Sequence, residues 1–275
     1  MLIVLFLLLL GVKKLKQKLL KHHFMKNKRK IDICLTPSLL DLFNLAEKNV
    51  IIIDVFRATS AMCVFLNNGG KEVIPVSSVD EAELYKQSSH SSINNCLVAA
   101  ERDGAIVPGF DLGNSPLLYH DKKFNNTSLV ITTTNGTFAI EKFKKNTGQM
   151  LLASFLNATA IINHILASTG DLLIVCSGWR GRFCIEDLLL AGLLSHKLLS
   201  SNSFYSDSDS VLLGKNIYDL AKLDMSHFLS HSAYNKRMDL DDDMAYCLQT
   251  DTMDIVPVWS PDSCLNPDVG SFSLS

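Results

Sequence analysis

The sequence predicts an α/β fold of three layers, with helices on both faces of a largely parallel or mixed sheet. Three observations lead there. From Ile31 onward, short apolar runs alternate with stretches of helical periodicity, the pattern of strand–helix repeats. Strand followed by helix, repeated, implies a largely parallel sheet with helices on both faces. A chain of 275 residues, 47% of them hydrophobic, has enough apolar surface for one large core.

Taken in order, strands are expected at Ile31–Leu35, Val50–Asp54, Glu72–Val76, Leu97–Ala100, Leu129–Thr133, Leu151–Ala153, Leu172–Cys176 and, late in the chain, Asp254–Val258. Helices are expected at Ser38–Glu47, Ala58–Asn67, Asp80–Gln87, Thr137–Lys144, Ala158–Leu166, Ile185–Leu199, Ile217–Phe228 and Asp241–Cys247. Ser88–Asn95 and Ser200–Ser210 read as loops by composition, the second as a flexible connection. The domain is expected over residues 25–260, with 261–275 a polar tail.

Nine of the 26 basic residues lie in residues 1–30, a stretch without a single acid, so the body of the chain is acidic. That argues against nucleic acid as a partner, which would need an extended basic face. The seven cysteines are odd in number, form no CxxC pair and sit mostly in apolar runs. They fit reduced thiols in a cytoplasmic protein better than a disulfide framework or a zinc site. Leu2–Leu10 is apolar, but its Lys residues follow it, the reverse of a secretory signal. It is also too short for a membrane span, which takes about 20 residues. Residues 1–24 are read as an extension outside the fold, with a membrane-surface anchor the alternative. Oligomeric state is left open, a homo-oligomer included.

In open α/β sheets ligands bind beyond the carboxyl ends of the strands, so those ends are the places to look. Asp54 closes an apolar strand and Arg57 falls where a helix begins. Together they could hold Mg²⁺ or attack phosphorus and clamp a phosphate; the alternative is a helix cap with a surface partner. Glu101, Arg102 and the Gly/Pro-rich stretch containing Asp111, Asn114 and Ser115 form a second candidate, or a solvated turn. Asn135-Gly136-Thr137 offers small residues and free N–H groups to an anion, or simply a turn. Arg180 and Arg182, spaced by glycines, precede Glu186 and Asp187, acids that a helix N-terminus favours in any case. Outside the basic leader the chain has five arginines, four of them at strand-to-helix connections, so Arg is reserved for bidentate anion recognition. Neither GxGxxG after a strand nor GxxxxGK[ST] occurs.

These segments together resemble the 2-phosphosulfolactate phosphatase family. The matching stretches are DVFRATS (54–60), ERDG (101–104), GFDLGNSP (109–116), TTTNGT (132–137), SFLNA (154–158), CSGWRGRFCIEDLLLAG (176–192) and DIVPV (254–258). The resemblance implies a three-layer α/β/α fold and a Mg²⁺-dependent hydrolase that converts 2-phospho-3-sulfolactate to 3-sulfolactate, a step towards coenzyme M. Other phosphate esters of 2-hydroxy acids are plausible substrates. Two stretches depart from the family pattern: the bulky, basic Trp179-Arg180, and Ser232-Ala233-Tyr234 near His231, where relatives tend to carry arginine.

On this reading Asp54, Glu101, Asp111 and Glu186 are the metal candidates. Asp54, Arg57 and Arg182 are the catalytic ones. Arg102, Asn114, Ser115, Asn135, Gly136, Thr137 and Arg180 bind substrate. The nucleophile is water or Asp54 itself. Two alternatives are carried forward. Cys176 and Arg182 stand in a Cys-x5-Arg spacing, the layout of a cysteine-dependent phosphatase. The chain could also be a non-catalytic module that binds an anionic metabolite.

Overall fold

A computed structural model describes residues 28–89, 95–102, 104–133, 140, 143, 148–237, 240–266 and 269–275. The Asn135-Gly136-Thr137 loop, most of the helix expected at 137–144, and residues 1–24 lie outside the described residues.

The strands are β1 (Arg29–Cys34), β2 (Asn49–Ile53), β3 (Glu72–Pro75), β4 (Cys96–Arg102), β5 (Ala105–Ile106), β6 (Ser128–Thr132), β7 (Met150–Ala153), β8 (Leu172–Cys176), β9 (Phe204–Tyr205), β10 (Pro257–Ser260) and β11 (Ser271–Leu274). They form one mixed sheet in the order β5-β4-β6-β3-β11-β10-β7-β2-β8-β1-β9. Two parallel blocks can be separated within it. One is β4-β6-β3; the other is β7-β2-β8-β1-β9. The antiparallel hairpin β10–β11 lies between them, β10 pairing with β7 and β11 with β3.

The sheet is covered on both faces, as expected. Along β2, Val50 and Ile52 face one core while Ile51 and Ile53 face the other. Helix α1 (Ala58–Asn67) covers the first face. It is buried from Ala58 through Leu66, as an apolar helix without a polar side should be. Helices α4 (Ala158–Ala167) and α5 (Ile185–Ser200) cover the second face beside β2, and α2 (Val79–Ser89) packs beside β4 and β6. Helix α6 (Asp209–Ala221) crosses α5 at Gly192 and Gly214. A Cβ on Gly192 would lie 2.1 Å from the Gly214 carbonyl oxygen, so the crossing tolerates no side chain there. A short helix α3 (Leu117–His120) and the chain-terminal helices α7 (Met225–Leu229), α8 (Ala233–Arg237) and α9 (Asp241–Cys247) complete the fold.

Four expectations are corrected. Ser38–Glu47 is a short 3-10 helix, Pro37–Leu42, in which only Pro37 and Leu40 are buried, too little contact to sustain a longer helix. The helix expected at Ile217–Phe228 is two helices: the first ends at Ala221, and Asp224 caps the second by accepting the His227 N–H at 2.9 Å. The Ser200–Ser210 connection contains β9, which pairs with Arg29–Lys30 while the Arg29 guanidinium lies over the Phe204 ring at 4.1 Å. Residues 261–275, expected as a tail, supply β11, and Phe272 is fully buried against Trp259. With polar residues on either side, that single aromatic is too brief a pattern to read as a strand.

None of the seven cysteines is in a disulfide. Burial pushes the Cys63 and Cys247 thiols up to about 12 and Cys34 to about 11. Alkylation of the native protein at pH 8 is therefore expected to modify Cys264, the exposed thiol, first. Cys34, Cys63, Cys176 and Cys247 should react only on denaturation, a pattern that peptide mass spectrometry would read.

Candidate active site

The carboxyl end of β2 is where the chemistry gathers. Asp54 follows the strand and is buried, its Oδ1 accepting the Ala58 N–H at 3.3 Å. Thr59 fixes the turn by donating to the Ala153 carbonyl at 2.7 Å and accepting the Asp54 N–H at 3.1 Å, which ties the ends of β2 and β7 together. The Asp54 carboxyl is pushed up to about 7, first by burial and then by the negative charges of Glu101 and Glu186; the Ala58 N–H and Arg57 pull the other way. The helix-cap role weighed for Asp54 is thus present, in the bond from the Ala58 N–H.

Arg57 is buried and donates to Asp243 Oδ2 at 2.5 Å and to the Gly104 carbonyl at 3.0 Å. The second contact joins the two parallel blocks. Five strands separate β4 from β2 in the sheet order, yet the β4–β5 turn reaches Arg57 over the strand ends. Glu101, at the end of β4, is buried, and its Oε1 accepts the Gly104 N–H. The site therefore lies at the junction of the blocks, as ligand sites in open α/β sheets do.

Helix α5 brings Glu186 and Asp187, both buried in its first turn. Asp187 bridges two strand ends, accepting the Val55 N–H at 2.9 Å through Oδ1 and the Gly178 N–H at 2.9 Å through Oδ2. Its carboxyl is held well above the usual range by burial and by Asp54 and Glu186. Gly178 has φ +61°, and a Cβ there would meet the Arg182 carbonyl oxygen at 2.2 Å, so only glycine closes this turn.

The other sequence candidates fall in different places. Ser115 donates to Asp243 Oδ1, which places it beside Arg57. Asn114 is buried with no partner for its Oδ1 among the described residues. The Arg102 guanidinium donates to the Glu101 carbonyl at 2.6 Å. Asp111 is held by the Val98 N–H at 2.9 Å and by the Lys86 ammonium at 3.2 Å, and it is not among the charges acting on Asp54. Arg180 and Arg182 are exposed on the glycine turn, the former over the Trp179 ring at 4.7 Å.

Cys176 is fully buried, with Asp187, Cys34 and Glu186 holding its thiol well above the ordinary value in addition to burial. A nucleophilic cysteine needs an electropositive, accessible setting. The Cys176/Arg182 alternative is therefore set aside.

Asp243 escapes a reading of the sequence alone. It sits among three consecutive aspartates in the first turn of α9, a place where acids occur without functional cause. Of the three, Asp243 alone is buried, and because both Tyr246 and Cys247 behind the run are buried too, helical phase does not single it out beforehand. Replacing Asp243 by Ala is expected to cost about 3–5 kcal/mol, because it strands a buried guanidinium. Urea denaturation would measure it.

Among the described residues, no group of three or more His, Cys, Asp or Glu side chains forms a ready-made metal cage. The donor set still suits Mg²⁺, which binds through one or two carboxylates plus water and phosphate oxygens. Asp54, raised by burial and by two neighbouring acids, is a carboxyl whose ionisation a divalent cation would favour.

A cluster of buried acids with one buried guanidinium, at the carboxyl ends of a mostly parallel sheet, defines an α/β enzyme acting on a small anionic molecule. The profile of the 2-phosphosulpholactate phosphatase family matches residues 34–262, and the chain belongs to that family of phosphatases acting on phosphomonoesters. It is 40% identical over 222 residues to a protein of Caldanaerobacter subterraneus subsp. tengcongensis, covering 78% of this chain and 88% of the relative. A Thermotoga maritima protein is 34% identical over 213 residues, 76% of this chain and 88% of its own. A Clostridium botulinum (strain Eklund 17B) protein is 29% identical over 239 residues, 86% and 99% respectively. All three carry the name "probable 2-phosphosulfolactate phosphatase".

Proposed function

We propose that this protein hydrolyses 2-phospho-3-sulfolactate to 3-sulfolactate and phosphate in a Mg²⁺-dependent reaction. The observation that carries the reading is the strand-end junction itself, where buried Arg57 is bound to Asp243 and to the Gly104 carbonyl, Gly104 is bound to Glu101, and Asp187, next to Glu186, is bound to the Val55 N–H beside Asp54. The relatives named for this substrate support the choice among phosphate esters.

Asp54 and Glu101, with Glu186, are the residues that would hold Mg²⁺, which when bound neutralises phosphoryl oxygens and lowers the pKa of a bound water. Arg57 supplies a fixed positive charge to the phosphoryl group. Its guanidinium is oriented by Asp243 and the Gly104 carbonyl before substrate arrives, so little reorganisation is needed at the transition state. Ser115 holds the Asp243 carboxylate, and Asp187 holds the backbone at Val55 and Gly178. Arg102, Arg180 and Arg182 lie outside this cluster and are assigned to the approach of an anionic substrate. The backbone of Asn135-Gly136-Thr137 is assigned to a phosphate oxygen.

Among the described residues no helix is long and apolar enough to cross a membrane. The seven free cysteines support a cytoplasmic location. The test is phosphate release from 2-phosphosulfolactate by protein beginning at Met25, with Mg²⁺ and with EDTA. Turnover that EDTA abolishes and Mg²⁺ restores is the expected result. Turnover that survives EDTA would remove the metal from the mechanism, and none in either condition would remove the substrate.

A further inference from the structure

We propose that Thr36 and Ser177 form the subsite for the substrate's second acid group, the carboxylate or sulfonate that is not transferred. The inference rests on the reading that Asp54 marks the phosphoryl position, and it goes beyond it by naming the residues that set specificity.

The two residues occupy equivalent places. Thr36 follows β1 and Ser177 follows β8, which are hydrogen-bonded neighbours in parallel register with Cys34 opposite Val175. Continued by two residues, that register sets Thr36 opposite Ser177. The neighbouring pair β2–β8, with Ile53 opposite Cys176, sets Asp54 opposite Ser177. The ends of three adjacent strands thus present Thr36, Ser177 and Asp54 in a row. The Ser177 N–H donates to the Ile53 carbonyl at 2.8 Å, which holds the row together beyond the last strand pair.

Both hydroxyls are without a partner among the described residues. Thr36 is 7% exposed and Ser177 3%, and neither Oγ has a hydrogen bond there. Thr36 occupies the N-cap of the 3-10 helix, where a threonine hydroxyl ordinarily accepts a backbone N–H, yet its side chain makes no such bond. A buried hydroxyl left unpaired costs about 1–3 kcal/mol, so two of them side by side call for a ligand with acceptor atoms. Gly178, next to Ser177, lies close to Thr36: a Cβ added there would be 3.6 Å from Thr36 Oγ1.

The spacing suits the substrate. Strand neighbours lie about 4.8 Å apart, which puts Ser177 roughly one spacing and Thr36 roughly two from Asp54. The ester of a 2-hydroxy acid carries its acid groups a few bonds from phosphorus, within that reach. Two neutral hydroxyls donate to an oxyanion without adding charge to a site that already holds several acids.

The experiment compares the wild-type protein with the Thr36→Val and Ser177→Ala variants and their combination. Steady-state kinetics are measured on 2-phosphosulfolactate, on 2-phospholactate and on 4-nitrophenyl phosphate, which lacks the second acid. The expected result is a rise in KM for 2-phosphosulfolactate, with its kcat/KM relative to 4-nitrophenyl phosphate falling at least tenfold. An equal fall for 2-phospholactate assigns the subsite to the carboxylate, and a fall for 2-phosphosulfolactate alone assigns it to the sulfonate. An unchanged ratio overturns the inference. Because the hydroxyls have no partner among the described residues, Tm should stay the same or rise, and a marked drop would show a structural role instead. Calorimetric binding of 3-sulfolactate decides the matter independently of turnover. Loss of wild-type affinity in the variants supports the subsite even if the proposed reaction fails, and equal binding, or none by the wild type, overturns it.

Discussion

The Asp54→Asn protein is expected to fold and to release phosphate on the order of 10³-fold more slowly than the wild type. Asparagine keeps the shape and an oxygen that can accept the Ala58 N–H, so the start of helix α1 is preserved. What it loses is the charge, needed whether Asp54 holds the cation or attacks phosphorus. The same substitution removes the repulsion that Glu101 and Glu186 exert on a buried carboxylate. The Tm in EDTA should therefore equal or exceed that of the wild type. The combination of lost turnover with retained stability separates a functional acid from a merely structural cap. Full turnover by the Asp54→Asn enzyme would sink the assignment. Activity assays and thermal unfolding of the same preparation provide both readings.

The second large effect concerns the last strand. Ending the chain at Gly270 removes β11 from between β10 and β3, leaving the β4-β6-β3 block without its sheet connection to the rest. Two unpaired strand edges would then be exposed, and we expect insoluble or non-cooperatively unfolding protein. The milder Phe272→Ala variant should lose about 3–5 kcal/mol, since the ring is fully buried against Trp259 and the first core. In a protein of this size that lowers Tm by roughly 6–20 °C. Its activity should fall as well, because Glu101 and Gly104 come from one block while Asp54 and Arg57 come from the other. A truncated protein that is soluble, folded and active would show that β11 is dispensable.

Local pattern is a reliable guide where it reports burial. The runs Ile51–Ile53 and Leu172–Cys176 are strands covered on both faces, and Ala58–Asn67 and Asp241–Cys247 are helices with the expected bounds. Pattern is a poor guide where an element is short and polar. β9 and β11 exist because a neighbouring strand pairs with them and Phe204 or Phe272 enters a core, not because their own residues demand extension.

The site divides along the same line. Asp54 and Arg57 stand out because a charge that closes or follows an apolar strand is costly unless used, whereas Glu101 and Glu186 fit a solvated turn and a helix N-terminus equally well. Arg182 and Asp111 satisfy the same local rule, but the structure leaves Arg182 exposed and occupies Asp111 with Val98 and Lys86. Asp243, far along the chain from Arg57, is joined to it only by the packing of α9 over the strand ends. Sequence alone determined the α/β class, the buried strands and the acids and arginine at their ends, because burial and charge are properties of each segment. Only the tertiary structure decided which of those charges meet and that the C-terminal strand closes the sheet. Contacts between distant segments depend on how the two blocks pack, which no segment encodes by itself.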